Sequence, residues 1–279
     1  MSNIMRSLST VVDTPYKSHT GMTREKYEDM YERSVADPAT FFAEQARERL
    51  EWMQPFSDAR TKETDFGEGA ADGARPPSIA WFADGVLNAS ANCLDRHVDA
   101  GHGDRVAFHW EPDDPSHEAR EVTYEWLLEE TCRVANVLAQ KFGVKKGDRV
   151  SICMPMVPET VACMLACARI GAVHSVVFGG FAPHELATRI DDARPKLIIS
   201  ASCGIEPGRI IAYKPMVDAA IAQAAHKPRG CVVYQREQVH AELGEADCDW
   251  AEEMATARAA GETAQCEPMV ATDPLYILY

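Results

Sequence analysis

The chain has 279 residues, of which 46% are hydrophobic and 25% are charged, and its formal net charge is −15 at neutral pH. That length allows one or two domains, and no apolar run approaches the roughly 20 residues that a membrane-spanning helix needs. The negative charge disfavours nucleic acid as a partner, because Lys and Arg side chains that displace phosphate counterions drive such binding. Composition therefore predicts a globular protein without a membrane or nucleic acid partner.

The nine cysteines are an odd number, and none of them forms a CxxC pair. Neither a disulfide framework nor a zinc site is indicated, so we expect a reducing compartment. The first twelve residues hold Arg6 and three serines but lack the apolar region of a secretory signal. The cytoplasm is the predicted location, and the mitochondrial matrix is the alternative.

Two helices are predicted over residues 24–53, with a break at Asp37 and Pro38. Asp is a favoured N-cap residue, and Pro fits the first helical turn. The second helix is predicted to place one apolar face against the protein, made of Phe42, Ala46, Leu50 and Met53. A polar loop rich in Gly and Pro follows over residues 57–77. We therefore predict a helical N-terminal wrap and loop over residues 1–78 and an α/β domain over residues 79–279.

Apolar strands and helices alternate through the second half of the chain. A capped helix over 88–97, a strand over 106–110 and a helix capped by Thr123 come first. Strands are then predicted over 149–154, 172–178, 196–200 and 231–234, and helices over 158–170, 183–193, 213–225 and 250–259. Such alternation is typical of a mainly parallel, doubly wound sheet with helices on both faces.

The last residues, from Asp273 to Tyr279, predict an apolar strand that reaches the end of the sequence. A strand needs a partner and a continuation, and the helix, turn and strand over residues 164–181 form a βαβ-type crossover. Together they suggest the front part of a nucleotide-using enzyme that stops before its phosphate-binding loop.

The first candidate site follows the strand over residues 172–178. Gly179 and Gly180 come at the carboxyl end of that strand, where open α/β sheets place their ligand crevices. Glycine there lets a ligand approach the backbone, or it serves a tight turn that needs conformational freedom. The pattern is neither GxGxxG nor a Walker motif.

The second candidate site is a predicted loop over residues 204–209, after the strand over 196–200. Arg209 suits contact with phosphate oxygens, and a solvated loop arginine is the alternative. Lys214 could add positive charge nearby. His174 lies inside an apolar strand without a nucleophile motif, so we interpret it as a core histidine without a catalytic role.

Several sequence segments, taken in their order along the chain, resemble those of one enzyme family. They are residues 81–97, 122–124, 134–136, 147–150, 154–156 and 167–181. Together they resemble the AMP-forming short-chain acyl-CoA synthetases, the acetate and propionate ligases, and the similarity covers residues 24–279. It implies that the α/β part belongs to the large N-terminal domain of an adenylate-forming enzyme.

The resemblance implies that a short carboxylate is activated with MgATP to an acyl-adenylate, with release of pyrophosphate. Coenzyme A then attacks, giving the thioester and AMP. ATP, Mg²⁺ and coenzyme A are the implied cofactors, and the partners are small-molecule substrates. The family's phosphate loop, carboxylate pocket and catalytic Lys are expected beyond Tyr279, so no catalytic or metal-binding residue is assigned here, and we expect this chain to be inactive alone.

By resemblance, this chain forms one wall of the coenzyme A site. Phe178, Gly179 and Gly180 match the family segment that contacts the thiol-bearing arm. The segment Glu206, Pro207, Gly208 and Arg209 matches a loop that meets the nucleotide phosphates.

The second segment departs from the family, because Glu206 occupies one of two basic positions. Either the nucleotide is held differently or Glu206 points away. The Glu-Pro-Gly-Arg form resembles the propionate-activating branch more.

The competing interpretation is a non-catalytic α/β module. Such a module would bind coenzyme A or a protein partner through its open sheet edge. A reading frame that continues past Tyr279 into a Thr/Ser/Gly-rich loop ending in Lys would favour the ligase instead. The sequence leaves the oligomeric state open.

Overall fold

The structure is a computed structural model that describes residues 21–65, 78–114, 118–180, 182–206, 208–261 and 263–279. The chain divides into two compact units, Met1–Arg49 and Leu50–Tyr279. The sequence-based boundary between residues 78 and 79 stays a prediction. Most of the predicted polar loop over 57–77, together with Phe181 and Pro207, lies outside the described residues. None of the described helices has the length and hydropathy that crossing a membrane requires.

The described residues of the first unit form two helices, α1 (Arg24–Ala36) and α2 (Pro38–Arg49), and the predicted break between them is confirmed. Thr23 Oγ1 caps α1 by accepting a hydrogen bond from Lys26 N at 3.2 Å. The predicted apolar face of α2 is wrong. Phe41, Ala43 and Ala46 are the buried residues of α2, whereas Phe42 is 44% exposed. The helix ends at Arg49, so Leu50 and Met53 cannot share its face.

The second unit contains thirteen described strands and five described α-helices. The strands are β1 (Lys62–Asp65), β2 (Ser78–Trp81), β3 (Val86–Leu87), β4 (Val106–Trp110), β5 (Arg120–Thr123), β6 (Arg149–Cys153), β7 (Val173–Val176), β8 (Leu197–Ala201), β9 (Cys203–Glu206), β10 (Arg209–Ala212), β11 (Cys231–Tyr234), β12 (Asp247–Asp249) and β13 (Met269–Val270). The helices are α3 (Tyr124–Asn136), α4 (Pro158–Arg169), α5 (Pro183–Ala193), α6 (Tyr213–Gln223) and α7 (Trp250–Ala260). Single helical turns cover Asp58–Arg60, Ala91–Asp95, Val98–His102 and Val137–Lys141.

Five strands form the central sheet in the order β12-β11-β8-β6-β7, and every neighbouring pair is parallel. The predicted parallel α/β architecture is confirmed. One strand of this sheet was not predicted: β12 lies in a polar stretch and pairs at the sheet edge beside β11. A three-residue strand at the edge of a sheet pairs on one side only and is not fully buried. Its sequence therefore lacks the continuous apolar run by which the other strands were predicted.

Apolar cores fill both faces of this sheet. One core packs α3, α4 and α7 against it and includes Leu138, Ile152 and Cys167. The other packs α5 and α6 and includes Ile190, Val217 and Val233. Burial on both faces explains why the sheet strands read as continuous apolar runs.

The last residues lie beside β7 without forming the strand that was predicted from Leu275. A single parallel bridge joins His174 to Tyr276, and Ile277 N donates to His174 O at 2.9 Å. Tyr279 Oη donates to Asp192 Oδ2 of α5 at 2.6 Å. The bridge, the Tyr279 hydrogen bond and an ion pair between Asp273 and Lys146 therefore help to hold this segment in place.

Candidate functional site

Both predicted site segments lie at the carboxyl edge of the parallel sheet. Residues 177–180 leave β7, and the β9–β10 segment follows β8. Parallel strands end at one edge, which is where α/β proteins bind their ligands. The structure thus brings together two segments that the sequence placed there separately.

Tyr213, the first residue of α6, links the two segments. A Cβ atom added at Gly179 would lie 2.2 Å from Tyr213 Cζ, and one added at Gly204 would lie 2.2 Å from Tyr213 Oη. Because neither glycine has a side chain, the buried ring of Tyr213 packs directly against the backbone at both positions. Burial raises the pKa of Tyr213, and the neighbouring Glu206 carboxylate raises it further. Sequence analysis missed this residue, although an aromatic side chain just before a helix at the ligand edge was a visible signal.

Phe178 lies beside a small apolar recess at this edge. Its side chain is 69% exposed, and the glycine at 180 leaves room for its ring: a Cβ there would lie 2.5 Å from Phe178 Cε1. The recess is lined by Cys153, Val177, Phe178, Gly179, Leu186, Tyr213, Met216 and Val217. Apolar walls beside an exposed aromatic ring suit an aliphatic or thioether-like group better than a charged one.

The predicted loop over residues 204–209 is wrong, because the structure forms an antiparallel hairpin from β9 and β10. The two short strands satisfy each other's backbone groups, and Gly208 takes a φ of 78°, which suits glycine in a tight turn. The register places Arg209 directly opposite Glu206. Arg209 Nε donates to Glu206 Oε2 at 2.8 Å. Glu206 therefore points towards the arginine and partly neutralises it.

Lys214 does not add positive charge to this site, contrary to the prediction. Its side chain is buried, and Nζ is bonded to Asp218 Oδ1 at 2.5 Å and to Asp247 Oδ2 at 2.8 Å. Burial alone would lower the pKa of Lys214, but the two carboxylates outweigh burial and raise it. This lysine stays charged and anchors α6 to β12.

His174 has no partner for its buried Nδ1 atom among the described residues, and its ring lies 5.8 Å from the ring of Tyr276. Burial lowers the pKa of His174 to about 4, so the imidazole is neutral near pH 7. The interpretation of a histidine without a catalytic role stays a prediction.

A second polar cluster at the same edge was missed. Arg236, two residues beyond β11, is buried and donates through Nη2 to Asp113 Oδ2 at 2.8 Å. Its backbone N donates to Ser202 Oγ at 2.8 Å. An arginine directly after a buried strand was the available signal. The bond to Asp113 ties the end of β11 to the segment after β4, so this arginine supports the edge.

No group of three His, Cys, Asp or Glu residues in the described ranges has the arrangement of a metal site. Cys153 and Cys167 are fully buried, and burial raises the pKa of each thiol to about 12. These two thiols stay protonated and belong to the core rather than to a reactive site.

The fold and the site define a class: an α/β protein with a parallel sheet and a ligand edge that combines an apolar recess with an arginine hairpin. The AMP-binding enzyme family model matches residues 94–279, and the model for the acetyl-coenzyme A synthetase N-terminus matches residues 27–93. The chain therefore belongs to the AMP-binding enzyme family. The resemblance drawn from the sequence blocks is confirmed.

Two curated relatives illustrate the similarity. The chain is 46% identical over 264 residues to an acetyl-coenzyme A synthetase of Serratia proteamaculans, covering 94% of this chain and 38% of the relative. It is 41% identical over 278 residues to the mitochondrial acyl-CoA synthetase short-chain family member 3 of Mus musculus, covering 98% of this chain and 36% of the relative. The chain thus spans less than two fifths of the length of these two relatives.

A solved structure supports the fold. The chain superposes on an acetoacetyl-CoA synthetase from Streptomyces lividans with a TM-score of 0.75 and 21% sequence identity, over 94% of this chain and 37% of the other. At that identity the comparison supports the architecture alone, and it agrees with the predicted α/β class.

Proposed function

We propose that the protein is the N-terminal part of a ligase that activates a short carboxylate, acetate or propionate. The carboxylate takes the adenylyl group of MgATP with release of pyrophosphate, and coenzyme A then takes the acyl group from the acyl-adenylate with release of AMP. The observation that carries the proposal is the succession of the two family models across residues 27–279. MgATP is proposed to enter as a substrate.

This chain's own contribution is proposed to be one wall of the coenzyme A site. The apolar recess beside Phe178 suits the uncharged pantetheine arm, because burying that arm there removes apolar surface from water. Gly179 and Gly180 carry no side chains that would obstruct the arm at the strand exit. Arg209, exposed on its hairpin, suits the nucleotide phosphates. Glu206, Pro207 and Gly208 are proposed to belong to the same binding segment.

The choice between acetate and propionate is proposed from the hairpin sequence. Glu206 to Arg209 resembles the propionate-activating branch, so propionate is the expected better substrate. The cytoplasm is the proposed location, and the mitochondrial matrix is the alternative, given that one relative's name includes the word mitochondrial.

The test uses the protein expressed from its complete natural reading frame, beside the 279-residue chain. AMP formation is measured with ATP, Mg²⁺, coenzyme A and either acid, and a reaction without acid is the control. We expect acid-dependent AMP from the complete protein and none from the 279-residue chain. Absence of AMP with every short acid would contradict the ligase. If coenzyme A still bound under those conditions, the non-catalytic module would replace it.

A further inference from the structure

We propose that Glu206 is an internal counter-ion of Arg209 that lowers the enzyme's selectivity for the 3′-phosphate of coenzyme A. The acceptor class is then broader: a pantetheine thiol whose nucleotide lacks the 3′-phosphate, such as dephospho-coenzyme A, is expected to be used nearly as well. This inference rests on the proposed coenzyme A site at Phe178 and Arg209.

The pairing is built into the hairpin. Glu206 ends β9, Arg209 begins β10, and the antiparallel register sets them opposite each other. Arg209 Nε and Nη2 both donate to the same oxygen, Glu206 Oε2. No other carboxylate among the described residues forms an ion pair with Arg209. One of the two hydrogen-bonding edges of the guanidinium is therefore occupied before any ligand arrives.

The exposed fractions of the two side chains indicate whether a phosphate can displace the Glu206 carboxylate from Arg209. The Arg209 side chain is 69% exposed and that of Glu206 is 34% exposed. An ion pair this open contributes little stability, so a phosphate can displace the carboxylate from the guanidinium. The carboxylate stays close, however, because β9 holds its backbone opposite Arg209. A bound phosphate therefore meets one positive and one negative side chain together.

The consequence is a hairpin tip with no net charge. Arg209 attracts a phosphate dianion, and Glu206 repels it at nearly the same distance. The formal net charge of this chain, −15, adds no long-range attraction for a phosphate. Removing the carboxylate restores a free guanidinium with both of its edges available to a bidentate phosphate.

The test measures KM and kcat for coenzyme A and for dephospho-coenzyme A with the protein from its complete natural reading frame. In the Glu206→Gln variant we expect the KM for coenzyme A to fall about three- to tenfold, the size of one charge interaction at a solvated site. The KM for dephospho-coenzyme A should fall by a smaller factor than the KM for coenzyme A. The wild type should show less than about a threefold difference in KM between the two coenzymes.

Two variants serve as controls. The first is Glu63→Gln, which removes the same charge from another exposed ion pair. Glu63 lies on the separate β1–β2 sheet, and its partner, Arg60, is also three residues away. This variant should change neither KM. In a Glu206→Gln, Arg209→Gln double variant the gain in coenzyme A affinity should disappear. An unchanged ratio of the two KM values in Glu206→Gln, or an equal fall in both, would overturn the inference.

Equilibrium binding separates this inference from the proposed ligase. Should the complete protein form no AMP, titration calorimetry with the two coenzymes still compares wild type with Glu206→Gln. A coenzyme A affinity that rises in the variant relative to dephospho-coenzyme A supports the counter-ion without any turnover. Failure of both coenzymes to bind would overturn the inference together with the proposed coenzyme site.

Discussion

At the scale of single residues, the ligand edge depends on one aromatic ring that needs two glycines. Tyr213 is buried between Gly179 and Gly204, and a methyl group at either glycine would overlap it. The pair of adjacent glycines therefore divides into two roles. Gly179 is required by the packing of the protein itself, whereas Gly180 only borders the exposed ring of Phe178.

We expect Gly179→Ala to lower the free energy of unfolding by about 2 kcal/mol, because overpacking a buried ring forces it off its position. Gly180→Ala is the matched control and should cost less than about 0.5 kcal/mol, since the exposed Phe178 ring can rotate away. Urea denaturation of both variants measures the difference. Equal losses in the two variants would contradict the packing role assigned to Tyr213.

The Arg209 side chain gives a second residue-scale prediction. Arg209→Ala should weaken coenzyme A binding by about 1.5 kcal/mol, the low end for a charged hydrogen bond, because Glu206 already neutralises the guanidinium. Titration calorimetry with the complete protein measures the change. Arg24→Ala, at another exposed arginine that is paired with a glutamate, Glu28, is the control. An unchanged affinity would mean that Arg209 is only a solvated turn residue.

At the scale of elements, a buried ion pair joins α4 to the helical turn Ala91–Asp95. The Arg169 side chain is 3% exposed, and its Nη1 and Nη2 atoms bond Asp95 at 2.8 and 2.9 Å. Arg169 Nε donates to Ala264 O. One arginine thus connects three segments that are far apart in the sequence.

Asp95→Ala should lower the free energy of unfolding by about 3 kcal/mol, because it leaves an uncompensated charge in the core. Glu28→Ala breaks an exposed pair with Arg24 and should cost less than about 1 kcal/mol. Urea denaturation compares the two. A small loss in Asp95→Ala would show that water reaches the Arg169 guanidinium.

At the scale of the whole molecule, several aspartates stabilise the folded state through local hydrogen bonds. Burial alone would raise the pKa of Asp148, but hydrogen bonds from Lys196 and from the Lys145 backbone outweigh burial and lower it. The hydrogen bond from Lys146 lowers the pKa of Asp273, and bonds from Ser57 lower the pKa of Asp84.

Because these folded-state pKa values lie below the unfolded value of about 3.9, the aspartates stabilise the fold above roughly pH 4. That contribution is lost as the pH falls through the folded-state pKa values. Denaturant unfolding at a series of pH values should show a steep loss of stability below pH about 4. Constant stability down to pH about 2 would contradict it.

His174 makes the free energy of unfolding depend on pH in a second, higher pH range. Burial lowers its pKa to about 4 in the folded state, whereas an unfolded histidine titrates near pH 6.5. The unfolded chain therefore takes up a proton first, and stability falls as the pH drops from about 6.5 towards about 4. His174→Gln should flatten this slope in denaturant titrations. His109→Gln, at an exposed histidine, is the control and should leave it in place. An unchanged slope in His174→Gln would show that the ring is solvated.

The sequence by itself determined the fold class and the family. Strands over 149–154, 172–178, 196–200 and 231–234 were predictable because burial on both faces leaves continuous apolar runs. Thr123 was predictable as a cap, since its hydroxyl accepts a hydrogen bond from the Trp126 N–H group within the same turn. The position of both candidate segments at one sheet edge followed from parallel topology alone. These features depend on neighbours in sequence or on a repeating pattern.

The tertiary structure decided the features that depend on distant partners. Tyr213 explains Gly179 only once α6 is placed against the exit of β7. The hairpin, and with it the pairing of Glu206 with Arg209, depends on a register between two four-residue strands. The burial of Lys214 depends on Asp247, 33 residues further along the chain. Such contacts leave no local pattern in the sequence, because chain folding, rather than composition, brings the partners together.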